Sequence, residues 1–296
     1  MRLAAGLGLI GLLAAQDLPR AAAALEAGKF DEAVATLSDL LRRAPDDPEA
    51  NYYMGLAYFR AERPREARPY LERATQLSPA RAEAWQALGL ALLKTSDYAP
   101  ASLALGRACA LKPKDEDACY LQGRSLFIQG RYDEAVGPLE NAVRTGGNKA
   151  AAHRAAAMNY AELGRASEAE GHFRDAIALH RAGSGQADPR VDYGAFLTAQ
   201  GRAQDAVKVL TRAIAEASPS ARALSELGRA LLELDRPGDA VPALERAVAL
   251  DPNGWSVRMM LGKAYLRLGR TVEGERELRL GREGWAKQDY GSSRNK

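Results

Sequence analysis

Alanine stands at positions 33, 67, 101, 135 and 169, each 34 residues after the last, and the series resumes at Ala206 and Ala240. A fixed period of this length constrains the fold more than any composition can. It marks stacked supersecondary units, none of which can bury its apolar face without its neighbours. Twelve residues before each of these alanines comes another small residue, at Ala21, Gly55, Gly89, Gly123, Ala157, Gly194 and Gly228, and the series ends at Gly262. Both ladders read as places where helix axes approach closely. A glycine inside a helix costs about 1 kcal/mol against alanine, so close packing has to offset that cost.

Punctuation keeps the same phase. Pro45, Pro79, Pro113 and Pro252 fall twelve residues after an alanine of the ladder, where a missing N–H and a fixed φ close one unit and open the next. Gly28, Gly130, Gly164, Gly201 and Gly269 lie between the paired small residues and are placed to end a first helix in the left-handed conformation.

At this level of detail the chain resembles the tetratricopeptide repeat family. Asn51, Met54, Gly55, Tyr58, Ala67, Leu71, Ala74 and Pro79 match the family pattern, except that Asn51 replaces the usual bulky apolar opener; Trp85 restores it, followed by Leu88, Gly89, Leu92, Ala101, Leu105, Ala108 and Pro113. The resemblance implies an all-α, right-handed superhelical α-solenoid of about eight helix-turn-helix units, beginning near residues 14, 48, 82, 116, 150, 187, 221 and 255. The solenoid is assigned to 16–287 as one undivided array, with a polar tail over 288–296. The step from Ala169 to Ala206 is three residues too long, and the excess falls in a turn-rich insertion at 182–189. The last unit, with Gly274 and Gly281 in place of alanines and charges at Glu273, Glu275, Arg276, Glu277, Arg279, Arg282 and Glu283, reads as a solvated cap over 271–287.

The first fifteen residues are a separate element. Met1-Arg2 gives a positive start, Leu3 to Ala15 is apolar, and Leu13-Ala14-Ala15 before Gln16-Asp17 offers a small-residue cleavage point. They read as a signal peptide, which makes the chain periplasmic or secreted; the alternative is the first helix of an N-terminal cap in a cytoplasmic protein. The stretch is shorter than the about 20 apolar residues that a permanent membrane span needs. Cys109 and Cys119 are the only cysteines, at the junction of the third and fourth units. Two buried thiols acting as small hydrophobes is the favoured reading, with a bridge as the alternative in an oxidising compartment.

No constellation for catalysis or for a cofactor emerges. Of His153, His172 and His180 none is paired at i,i+4. Gly146-Gly147 and Gly183-Ser184-Gly185 lack the spacing of a phosphate cradle. Asp46-Asp47 and Asp115-Glu116-Asp117 precede helices, whose N-termini favour negative charge. With 41 basic against 38 acidic residues the net charge is +3, and no basic run suggests nucleic-acid binding. Metal, cofactor, nucleic acid and enzymatic activity are all expected to be absent.

Recognition on a surface remains. In the family the first helix of each unit lines a concave groove, and carrying its ligand-facing positions onto this chain gives Tyr52, Leu56, Phe59, Gln86, Leu90, Tyr120, Arg124, Phe127, Arg154 and Met158, with Arg60, Leu93, Lys94 and Ile128 beside them. Aromatic and arginine anchors with an adaptable methionine suit a protein or peptide partner. The family's Lys/Asn carboxylate clamp is missing, since its positions hold Tyr52/Leu56, Gln86/Leu90 and Tyr120/Arg124. Asp188, Asp192, Glu226 and Glu233, mixed with Arg222, Arg229 and Lys263, read as solvated surface. The expectation is a non-enzymatic adaptor or assembly scaffold, with self-association into a homo-oligomer as the alternative.

Overall fold

The computed structural model describes residues 16–114, 116–145, 149–181, 187–216 and 219–293, with side chains to residue 286 in the last helix. The proposed signal peptide at 1–15 and most of the insertion at 182–189 lie outside the described residues. Every regular element among the described residues is a helix. Two compact units divide at Gly164/Arg165. The first holds α1 (16–26), α2 (Phe30–Arg43), α3 (Pro48–Arg60), α4 (Pro64–Leu77), α5 (Ala82–Lys94), α6 (Tyr98–Leu111), α7 (Glu116–Ile128), α8 (Tyr132–Thr145) and α9 (Lys149–Glu162). The second holds α10 (Ala166–Leu179), α11 (Pro189–Ala199), α12 (Ala203–Glu216), α13 (Ala221–Glu233), α14 (Pro237–Leu250), α15 (Trp255–Arg267) and α16 (Thr271–Ser293). In a stack held by nearest-neighbour packing a division can fall at any junction, and here it falls between two helices of one sequence unit and not at the insertion.

Both small-residue ladders are packing devices. All seven alanines of the first ladder have no exposed surface. At the second ladder each glycine faces the leucine sixteen residues on. A Cβ placed on Gly55 would lie 2.4 Å from Leu71 Cγ, and on Gly89, Gly123, Gly194 and Gly228 it would lie 2.5 Å from Leu105, Leu139, Leu210 and Leu244. Those leucines are at most 1% exposed, so each hairpin closes by seating a leucine against bare backbone.

The hairpin turns share one conformation with different residues. Gly28, Gly130, Gly164, Gly201 and Gly269 have φ between 70° and 74°, and Glu62, Ser96 and Asp235 occupy the same register at φ 57°, 63° and 53°. The three side chains carry a local steric cost that glycine avoids.

Connections between hairpins are fixed through proline carbonyls. Asn51 Nδ2 donates to Pro45 O (2.9 Å) and Asp47 O (2.8 Å), Trp85 Nε1 to Pro79 O (2.9 Å), and Arg258 Nε to Pro252 O (3.1 Å). This explains Asn51 in place of the apolar opener, since it is 4% exposed and answers buried acceptors. The equivalent position on α7 is Cys119, and Cys119 is bonded to Cys109, so the free-thiol expectation is corrected. Residues near the end of α6 and the start of α7 are brought to a Cα separation of 4.9 Å by the tight connection between them, within bridging reach. Asn141 of α8 takes over the proline, donating to Pro113 O (3.1 Å) and to Cys119 Sγ (3.0 Å).

Two acidic positions read as solvated, Glu277 and Asp192, are interior, and a third, Asp188, is half-buried. Glu277 is 3% exposed and pairs with Arg258 (2.7 Å) and Arg276 (3.0 Å), on the face of α16 that also buries Gly274, Gly281 and Gly284. Glycines stand there because Trp255 and Met259 of α15 press on that face, Trp255 within 2.5 Å of where a Gly284 Cβ would be and Met259 within 2.8 Å for Gly281. Asp192 is 5% exposed and pairs with Arg222. Asp188 caps α11 through Arg190 N (2.9 Å) and holds the Arg190 guanidinium at 2.7 Å, which also reaches Glu216. Burial alone pushes the Asp188 carboxyl up, but the Arg190 hydrogen bonds override it and leave it below the usual range. α16 continues through the stretch read as a polar tail as far as Ser293.

Candidate functional site

All ten sequence-predicted groove residues lie on first helices of the first unit: Tyr52, Leu56 and Phe59 on α3, Gln86 and Leu90 on α5, Tyr120, Arg124 and Phe127 on α7, Arg154 and Met158 on α9. The structure places them in different settings. Tyr52, Leu56 and Phe59 are half-buried and pack against the core cluster built on Leu71, Leu88 and Leu105. Tyr52 also carries the Arg81 guanidinium 3.8 Å above its ring, and burial raises its phenol pKa more than the cation lowers it. These side chains join neighbouring hairpins. Gln86 and Leu90 are half-buried.

The five residues of α7 and α9 converge. Tyr120, Arg124, Phe127 and Ile128 from α7 and Arg154, Ala155 and Met158 from α9 line a pocket of about 160 Å³. Its floor is Leu139, the leucine seated against Gly123, so the hairpin contact that closes α7 on α8 also sets the depth of the pocket. Phe127 is held by Tyr132 with ring centroids 5.3 Å apart at 58°, and Tyr120 packs in the cluster around the Cys109–Cys119 bridge. Ile128 is 50% exposed at the rim. Leu139, Ala155 and Tyr132 escaped the sequence reading. Helix register says which face a residue takes and not which second-helix side chain closes the floor.

In the second unit Arg229, Leu232, Glu233, Asp235, Met260, Lys263 and Arg267 line a wider recess of about 460 Å³, where the sequence suggested plain solvated surface. Its two guanidinium groups are paired within the chain: Arg229 with Glu226 beside the recess, and Arg267 with Asp235 at 3.7 Å and Leu232 O at 2.9 Å. Among the described residues no group of His, Cys, Asp and Glu is gathered as a metal ion requires, and no helix is long and apolar enough to cross a membrane.

A pattern described as tetratricopeptide repeat matches residues 18–82, 52–116, 197–241 and 225–285, more than half of the sequence. The chain belongs to the tetratricopeptide repeat family. A further pattern, described as anaphase-promoting complex, cyclosome, subunit 3, matches residues 94–176 between those stretches. Tetratricopeptide repeats are protein-interaction scaffolds and are generally not catalytic. Among solved structures, the MamA protein is 25% identical over 57% of this chain and 92% of its own, with a TM-score of 0.53. The Cut9–Hcn1 hetero-tetramer of the APC/C covers 86% of this chain and 50% of its own at a TM-score of 0.59, and with 17% identity its likeness concerns the tetratricopeptide fold alone. No curated protein sequence matches the chain.

Proposed function

We propose that this protein is a non-enzymatic adaptor that binds a peptide or helix of a partner protein on the first helices of its first unit, with the α7/α9 pocket as the anchor point. The observation that carries this reading is the convergence of Tyr120, Arg124, Phe127, Arg154 and Met158 on one recess that is open at Ile128 and floored by Leu139. Aromatic and arginine side chains dominate binding energies at protein interfaces. Tyr52, Leu56 and Phe59 serve the stack, so the contact area centres on α7 and α9.

Export belongs to the same proposal. The Cys109–Cys119 bridge supports it, because such bonds persist in oxidising compartments, and so does the apolar stretch at Leu3 to Ala15. A mature chain beginning near Gln16 in the envelope or medium is the expected outcome, and an intact cytosolic Met1 form refutes it.

The binding reading is tested with Tyr120→Ala combined with Phe127→Ala, in affinity capture from the source cell with the wild-type chain alongside. Truncating a hot-spot residue costs about 2 kcal/mol, roughly thirtyfold in affinity. A protein enriched by wild type and lost by a folded double variant supports the pocket. Equal enrichment by both moves the site elsewhere, and recovery of the chain alone points to self-association.

A further inference from the structure

We infer that the α7/α9 pocket selects an acidic peptide: one bulky apolar side chain enters the recess, and a carboxylate next to that anchor pairs with Arg124. This rests on the groove reading and adds the chemistry of the occupant.

Size fixes the anchor. A cavity of about 150 Å³ with apolar walls takes a benzene-sized ring, and this pocket has about 160 Å³ between Phe127, Met158 and Leu139. Leu139 and Phe127 are held by Gly123 and Tyr132, so floor and one wall exist before binding, while Met158 adapts to a ring or a branched aliphatic chain.

Charge fixes the neighbour. Arg124 lies over the Tyr120 ring with its guanidinium carbon 5.5 Å from the centroid. Arg63, Arg81 and Arg270 also lie over tyrosines, and each has a carboxylate: Glu66 at 3.0 Å, Glu49, and Glu273 at 2.5 Å. Arg124 is exposed, and among the described residues no carboxylate pairs with it. It lines the pocket beside Phe127, Met158 and Leu139, and its planar fork binds a carboxylate with geometric specificity. The recess of the second unit lacks this property, because its guanidinium groups are already paired within the chain.

The test uses the full chain and labelled twelve-residue peptides in which a central Phe, Leu or Ala is flanked by Glu, Gln or Lys, with fluorescence anisotropy as the readout. Phe and Leu peptides with Glu are expected to bind at least tenfold tighter than the same peptides with Lys, and Ala peptides to bind weakly. Arg124→Glu reverses the charge preference, while Phe127→Ala lowers the affinity of every anchored peptide and Phe127→Leu retains it. Circular dichroism and melting confirm that each variant is folded. Binding that depends on Phe127 but is indifferent to exchanging Glu for Lys overturns the acidic selection and leaves the groove reading standing. Binding unaffected by Phe127→Ala, or no binding by any peptide at millimolar concentration, overturns both.

Discussion

Replacing Gly194 with alanine sets two known effects against each other at a place where the geometry decides the winner. The added Cβ would lie 2.5, 2.7 and 2.8 Å from Cγ, Cδ2 and Cδ1 of Leu210, against the about 3.5–4.0 Å of ordinary carbon contacts. Leu210 is fully buried on α12, so it must retreat by about 1 Å into packed neighbours. Overpacking of that kind costs about 1–3 kcal/mol, while the helix gains about 1 kcal/mol from losing a glycine. Gly171→Ala on α10 of the same unit supplies the control, since nothing lies within 4 Å of its added carbon. The propensity gain is common to both, so the difference between them isolates the clash and is expected to be about 1–3 kcal/mol. Urea unfolding followed by circular dichroism measures both variants. Leu210→Ala alone is expected to cost about 2–5 kcal/mol through its cavity, and Gly194→Ala in that background to be stabilising. If Gly194→Ala stabilises as much as Gly171→Ala, or if the double variant is additive, Leu210 does not seat against Gly194 and the hairpin does not close in this way.

Two further outcomes follow from named groups. Reduction of Cys109–Cys119, which lie ten residues apart, is expected to remove about 2.7 kcal/mol on the chain-entropy account, with hydrogen exchange rising in α6 to α8 and unchanged in the second unit; protection that survives reduction refutes this. The Tyr265 hydroxyl donates to Glu245, and burial followed by that carboxylate pushes its pKa from 10.0 to about 12, so the fold favours the protonated form. Its contribution is complete below pH 10.0 and is lost as pH rises towards about 12, and Tyr265→Phe is expected to flatten the stability profile in that window; an unchanged slope counts against it.

The period made the ladders legible because it is written in residues defined by what they lack. Gly55 and Ala67 announce close approach by small size, and Gly130 announces a left-handed turn. Glu62, Ser96 and Asp235 take that same turn without any composition signal, since neighbouring packing imposes the conformation. The partners of Asp188, Asp192 and Glu277 are set by which side chains the fold brings beside them, so the pattern of charges along the sequence does not show that Asp192 and Glu277 are interior or that Asp188 is half-buried against Arg190. The cysteine pair was misjudged because its bridging depends on the tightness of one connection. Helix register found the α7 and α9 residues that line a pocket, but it treated Tyr52, Leu56 and Phe59 alike, although their neighbours use them as core.

The cystine at the α6/α7 junction also gives the molecule a mechanical property. A stack of hairpins held only by adjacent contacts peels from its ends when stretched, each hairpin releasing its length in turn. Between Cys109 and Cys119 the backbone is short-circuited by sulfur, so the ten steps separating them add almost nothing to the extended length of the oxidised chain. Reduction returns the extended length of those ten steps, about 33–36 Å, less the 4.9 Å that the bridge already spans, which turns the oxidation state into a difference in reach.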